Sequence, residues 1–309
     1  MAWRSFFGRG LLFLLPVMIL YALVWGYCKP LLTNSVSFDA KVFEVDRLKL
    51  KHVDIMAVGS SVTLNDLNTK IIKDCLHKSY YNFSSWGLQI PDDYKLIVNN
   101  VDKYSPKYLI MTTTFADFIL AENNTLAKKF DLNNTSSMTY YVKNYNNLES
   151  IISRWHDLKT YRKGNDEYTG LKFDDGGGIG LQISKQNQNI KRVYDAKAIM
   201  KMFPNKFTNP DYLILNKIAA FLQSKNIILV FVQAPYASSV IESKTMLNAI
   251  NDHFDKCKAI VESHKGIYLN KEVITNIPDS LFADPLHLSK SGSIVFTKKI
   301  VANLSRILK

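Results

Sequence analysis

Two short stretches, far apart in the chain, carry residue types that can do chemistry together. Asp54-Ile55-Met56-Ala57-Val58-Gly59-Ser60-Ser61 is an apolar run that ends in a glycine and two serines. A buried parallel strand reads this way at its C-terminal end, and in an open α/β sheet ligands bind at that end. The glycine permits a sharp turn, leaving Ser61 at the mouth of the sheet beside the N–H groups of a helix start. That offers a nucleophile and part of an oxyanion site. The second stretch is Phe282-Ala283-Asp284-Pro285-Leu286-His287-Leu288-Ser289-Lys290-Ser291-Gly292. An aspartate three residues before a histidine can accept from the imidazole Nδ1–H, which leaves Nε2 free to take a proton from a serine hydroxyl. Pro285 stiffens the turn between them. Each stretch also has a plain reading. Gly-Ser-Ser suits a strand-end loop, and Asp284-Pro285 suits a surface turn with an incidental histidine. Their joint presence points to nucleophilic chemistry.

Such residues need a frame to bring them together, and the pattern between them supplies one. A helix is expected from Ser61 to about Leu76, then a short strand at Tyr80-Tyr81-Asn82-Phe83. Asp92 to Tyr104 reads as a helix with Tyr94, Ile97, Val98 and Val101 on one face. Tyr108-Leu109-Ile110-Met111-Thr112 is a third strand, and Ile227 to Val232 is the clearest buried strand. Ile267-Tyr268-Leu269 is a fifth, with helices expected over 213–224, 242–263 and from Ser289 onward. Alternation of this kind predicts an α/β fold, a parallel sheet with helices on both faces. The rhythm breaks over 120–210, where Asn and Lys are frequent. A connection of that length is expected to be an inserted subdomain over the active-site face, where loops set substrate choice. Trp155, Tyr161 and Tyr168 there could stack on sugar rings or simply pack. Asp174-Asp175-Gly176-Gly177-Gly178-Ile179-Gly180 has no Gly-Lys-Ser/Thr after it, so it is read as a flexible hairpin or lid tip rather than a phosphate loop.

Together the two chemical stretches resemble the first and last blocks of the SGNH (GDSL-like) hydrolase family. Gly59-Ser60-Ser61 matches the first block with Ser61 as nucleophile and Ser60 in place of the usual aspartate; Asp284-Pro285-Leu286-His287 matches the last. The second block corresponds to Tyr81 through Gly87, which carries over Gly87 as an oxyanion-hole donor beside the Ser61 N–H. The third block departs. Thr113-Thr114-Phe115-Ala116-Asp117 places Ala116 where the family has its oxyanion-hole asparagine, so Thr113 or Thr114 would have to supply a hydroxyl. The resemblance implies a three-layer α/β/α, flavodoxin-like fold with a central five-stranded parallel sheet, and a catalytic set of Ser61, His287 and Asp284. It covers roughly residues 50–120 and 225–300. The Gly-x-Ser-x-Gly elbow of the α/β-hydrolases is absent, because Thr63 stands at its second glycine.

The chain of 309 residues carries a formal charge of +12 with its lysines scattered. No compact arginine-rich stripe or nucleic-acid motif is present, so nucleic acid is not an expected partner; a basic surface suits anionic lipid or acidic polysaccharide. Arg4 and Arg9 precede an uncharged apolar run from Gly10 to Tyr27. Eighteen helical residues reach about 27 Å, enough for a bilayer core. A retained signal anchor with its N-terminus in the cytoplasm is expected, because Trp25-Gly26-Tyr27-Cys28 is too bulky for a cleavage site. The expected domains are therefore an anchor (1–28), a linker (29–50) and an SGNH-like domain (51–309) with its insert at about 120–210. Whether Cys75 and Cys257 pair depends on the fold. No metal-ligand spacing of Cys and His is present, so no metal or cofactor is expected.

Two functions follow. One is a membrane-anchored serine esterase or O-acyltransferase acting outside the cytoplasmic membrane on acyl esters of a cell-surface polysaccharide. Anchored members of the resembled family do such work, some with a membrane-bound O-acyltransferase as partner. The other is a degenerate SGNH domain that binds glycan or scaffolds an envelope complex, which the altered third block favours.

Overall fold

The computed structural model describes residues 8–20, 36–118, 171–182, 210–238, 244–269 and 277–307, with Ile241 and a few positions between 152 and 159. Its centre is a five-stranded sheet: β1 (Ile55–Ala57), β2 (Tyr80–Asn82), β3 (Tyr108–Thr113), β4 (Ile228–Gln233) and β5 (Ile267–Leu269). The strand order is β2-β1-β3-β4-β5 and every pair is parallel. This is the doubly wound order of flavodoxin-like sheets. The strands are apolar because helices cover both faces. Ile55, Met56, Ala57, Leu109, Met111, Val230, Phe231 and Val232 are buried, the pattern of strands with no solvent face.

Right-handed crossovers decide which helix lies on which face. The chain leaves β1 toward β2 through α2 (Ser61–Asp66) and α3 (Thr69–Leu76). It then reverses direction through α4 (Ile90–Tyr104), α5 (Pro210–Ser224) and α6 (Lys244–Ser263), which take the opposite face. The last helix, α7 (Lys290–Ile307), packs on α2 and α3. The single helix expected from Ser61 to Leu76 is two. Leu67 is extended, and the Asn68 side chain accepts the Ile71 N–H at 3.1 Å as a fresh N-cap.

The stretch expected to be a linker, 29–50, contains a helix, α1 (Val36–Leu48). Phe38, Val42 and Val45 are buried at helical spacing, and so is Lys41. The Lys41 ammonium lies between the carbonyls of Asn82 (2.8 Å) and Gly177, with the Phe173 ring 4.0 Å away. It thereby ties α1 and the glycine-rich segment to the end of edge strand β2. That segment is no lid tip. Gly176 to Ile179 are buried, and the Asn82 N–H donates to the Gly176 carbonyl at 2.7 Å. Gly177 has a φ of 80°, and a Cβ there would overlap the Asn82 carbonyl, so glycine answers to close approach rather than flexibility.

Among the described residues no helix is long and apolar enough to cross a membrane. Residues 8–20 are helical, with exposed side chains from Leu11 to Leu20; residues 21–27 of the apolar run lie outside the described residues. Most of the 120–210 insert, with Tyr161 and Tyr168, lies outside them too, while Trp155 is exposed. Cys75 and Cys257 are both free, the first exposed and the second buried.

Burial pulls the Lys41 ammonium down to about 7 from 10.5, against the opposing charges of Asp174 and Glu44. Between those values the unfolded chain keeps a proton that the folded chain has lost, so stability rises with pH. Urea denaturation across that window is expected to show this rise in wild type and a flatter line in Lys41→Met. An unchanged slope in Lys41→Met would exclude Lys41 as its source.

Candidate active site

β1 and β3 are neighbours from which the chain departs in opposite directions, so their C-terminal ends open a crevice between the turns that follow. Ser61 stands at that point, the first residue of α2. Its helix is seated by Thr63, whose hydroxyl donates to the Thr112 carbonyl at 2.7 Å and accepts the Thr112 N–H at 3.0 Å. One side chain thus takes both peptide groups of a β3 residue. It fits only because Gly59 lacks a Cβ, which would overlap the Thr63 hydroxyl. Ser60 caps the helix, accepting the Val62 N–H at 3.3 Å. Asn82, at the end of β2, donates to the Thr63 carbonyl at 2.8 Å and accepts the Ser84 N–H at 3.0 Å. The turn at Ser61 is therefore held from both flanking strands.

The Asp284–His287 loop reaches this turn from between β5 and α7. His287 Nε2 is 2.8 Å from Ser61 Oγ, and His287 Nδ1 is 2.8 Å from Asp284 Oδ2. The other carboxylate oxygen, Oδ1, accepts the N–H groups of Leu286 and His287, each at 2.8 Å. The i, i+3 spacing makes this a local loop, in which the aspartate fixes both the backbone and the ring of the histidine it serves. Three residues separated by up to 226 positions form one hydrogen-bonded line from carboxylate to hydroxyl. The aspartate holds the imidazole in the tautomer whose Nε2 can accept the serine proton.

Burial, the largest influence, lowers the affinity of His287 for its proton. The Asp284 hydrogen bond and charge, with Asp66 and Asp117 behind them, outweigh it and hold the imidazole above its ordinary 6.5. Those two acids are buried carboxyls. Desolvation pushes Asp66 up to about 8, and it raises Asp117 despite hydrogen bonds from Ser60 and Thr114. Asp93 is raised well above its ordinary value, by burial and then by the charges of Asp117 and Asp92.

The residues expected at an oxyanion site divide. The Ser85 N–H donates to the Gly59 carbonyl at 3.2 Å, laying the second-block loop beside the Ser61 turn. Two residues on, Gly87 is exposed with a φ of 72°, and neither its N–H nor that of Ser61 has a partner among the described residues. The Thr113 hydroxyl is buried at the end of β3, without a partner among the described residues. Thr114 is not available. Its N–H and its hydroxyl both donate to Asp117 Oδ2, at 2.6 and 3.0 Å, closing the 3-10 turn Phe115–Phe118. The hydroxyl expected from Thr114 is thus consumed by the turn that Asp117 organises. Thr63 and Asn82 carry no sequence signal for these roles. Their partners are backbone groups of remote segments, so no local pattern marks them.

Among the described residues no group of His, Cys, Asp or Glu could hold a metal ion. His253 is buried between Tyr212 Oη (2.6 Å from Nδ1) and Cys257, with Phe115, Phe118 and Phe254 around its ring. Burial lowers it to about 3, so it is a neutral packing residue.

No protein-family model matches the chain, and no curated protein does. Among solved structures it is similar to an acetylxylan esterase from Geobacillus stearothermophilus, solved as a catalytic mutant. The identity is 10% and the TM-score 0.40, over 82% of this chain and 94% of that one.

Asp284→Asn would place an amide N–H against His287 Nδ1 and remove the charge that opposes desolvation. The His287 titration, followed by NMR, is expected to move to lower pH than in wild type, with ester turnover down by about 10³–10⁴-fold. An unmoved titration would show that Asp284 does not govern the imidazole.

Proposed function

We propose that the protein is a membrane-anchored serine esterase or O-acyltransferase that acts on acyl esters, in particular acetyl esters, of a cell-surface polysaccharide. The observation that carries the serine chemistry is the line Asp284–His287–Ser61, with 2.8 Å at each link. Ser61 Oγ attacks the acyl carbonyl carbon as its proton passes to His287 Nε2. The tetrahedral oxyanion is met by the N–H groups of Ser61 and Gly87, with the Thr113 hydroxyl in place of the missing asparagine. Loss of one donor typically costs about 100–1000-fold, which leaves room for activity without it. The intermediate collapses, the acyl C–O bond breaks, and the departing alcohol takes the proton from His287. Water then resolves the acyl-enzyme in an esterase, or a sugar hydroxyl does so in a transferase, with His287 again as base.

The carbohydrate substrate, and a membrane-bound O-acyltransferase as donor partner, follow from the resemblance of the blocks around Ser61 and Asp284–His287. The basic surface agrees with a site near anionic lipid or acidic polysaccharide. The anchor reading rests on Arg4 and Arg9 before the apolar run Gly10–Tyr27, which would leave the catalytic domain outside the cytoplasmic membrane. A second reading, a degenerate domain that binds glycan or scaffolds an envelope complex, is favoured by Ala116 and by the engagement of Thr114 with Asp117.

The test is p-nitrophenyl acetate hydrolysis by the full chain beside Ser61→Ala and His287→Ala, with fluorophosphonate labelling. The expected outcome is labelling of Ser61 and turnover lost at least about 10³-fold in both variants. An inert wild type whose Ser61 stays unlabelled would move the assignment to the binding module. Glycan acceptors added to the labelled, active protein separate transfer from hydrolysis.

A further inference from the structure

Ser61 and His287 stand 226 positions apart, and something must hold their two segments in register to within the tolerance of a proton transfer. The hydrogen bond between them cannot be that restraint, because it is the bond that the reaction remakes. The second tie lies at the far end of the same short helix. Asp66 is the last residue of α2, with no exposed surface. Its Oδ1 accepts the N–H of Leu288, the residue after His287, at 2.9 Å. Its backbone carbonyl accepts the Thr297 hydroxyl at 3.2 Å, and that hydroxyl accepts the Asn68 N–H at 2.8 Å. α2, whose first residue meets the His287 ring, is thus pinned at its far end to the amide of Leu288 and to α7. The six residues of α2 form a rigid turn and a half, so this tie at its far end fixes where Ser61 stands relative to Leu288 and the histidine before it.

We propose that Asp66 is a positioning residue for the reaction, whose carboxyl holds the His287 backbone against the helix that carries Ser61 and so sets the distance from Nε2 to Oγ. Asp66 has this role only if Ser61 and His287 react as set out above. Its chemistry is unusual for a structural staple. A buried carboxyl accepting one N–H bond is a costly way to satisfy an amide, and Asp66 Oδ2 has no partner among the described residues. A serine or asparagine would satisfy Leu288 with less desolvation. What the carboxyl adds is a place within the electrostatic reach of the imidazole, since Asp66 and His287 each act on the other. Asp66 acts through the Leu288 amide.

The experiment compares Asp66→Ala, which removes the acceptor, with Asp66→Asn, which keeps an oxygen at the Oδ1 position. Both are made in the full chain and assayed in steady state on p-nitrophenyl acetate. Misplacement of the base is expected to lower kcat in Asp66→Ala by about 10–100-fold with KM nearly unchanged, and Asp66→Asn is expected to recover most of that loss. A wild-type kcat in Asp66→Ala, a loss in KM instead of kcat, or an Asp66→Asn as slow as Asp66→Ala would each overturn the role. If Asp66→Ala does not fold, amide hydrogen exchange of Leu288 in wild type decides. Protection matching the core amides of α7 is expected, and exchange at the rate of an open loop would overturn it. An active wild type with an indifferent Asp66 would sink this role alone. A wild type that neither turns over nor labels at Ser61 would sink the enzymatic reading and this role with it.

Discussion

The contact between the Thr63 hydroxyl and the Thr112 peptide is the constraint on which the site depends. It docks a six-residue helix, too short to be stable by itself, onto the end of β3 through a side chain that satisfies both a donor and an acceptor. A strand end normally leaves such groups to water or to a loop, and a buried one left unpaired is costly. The bond requires the helix to start close against the strand, which the missing Cβ of Gly59 allows. Once α2 is fixed, Ser61 is presented at the crevice between β1 and β3, and Asn82 braces the same helix from β2. The position of Ser61 is therefore a property of three strands rather than of one loop.

The histidine comes to this fixed point from the other side of the sheet order. Its loop is defined locally, because Asp284 Oδ1 gathers two successive backbone N–H groups while Oδ2 takes the ring. Around the imidazole the protein has buried two further carboxyls, Asp66 and Asp117, each shifted by desolvation toward its neutral form. Asp117 is engaged by the turn after β3 and Asp66 by the Leu288 amide. Asp284 alone forms a direct hydrogen bond to the His287 ring among these acids.

Much of the frame is legible in the sequence because its signals are local. Runs such as Ile227 to Val232 can be little other than buried strands, and their alternation with helices forces a parallel sheet. The stretch holding α1 reads as a linker because Lys41 sits in the middle of its apolar stripe and breaks the pattern. The carbonyls of Asn82 and Gly177, the rings of Phe173 and Tyr81 and the charges of Asp174 and Glu44 make that lysine tolerable there. The glycine-rich segment reads as flexible for the opposite reason. Its glycines answer to the nearness of β2, which composition does not record. The continuous helix expected after Ser61 breaks at Leu67 and Asn68, where a bond to Thr297 in α7 and a new cap outcompete helix continuation.

Ser61 and the Asp284–His287 pair could be named from the sequence, because a strand ending in Gly-Ser-Ser and an i, i+3 carboxylate–imidazole loop are each set by neighbours in the chain. The sequence likewise determined the alternation of strands and helices and the departure at Ala116. It did not determine that Thr114 turns inward to Asp117 while the Thr113 hydroxyl stays unpartnered, since the two threonines are adjacent and chemically alike. Nor did it mark Thr63, Asn82 or Asp66. Each of these acts on a backbone group of a distant segment, and a peptide N–H or carbonyl has no residue identity for a pattern to find. Only the folded sheet, by choosing which strand ends lie together, decided which polar side chains meet those groups and which hydroxyl faces which base.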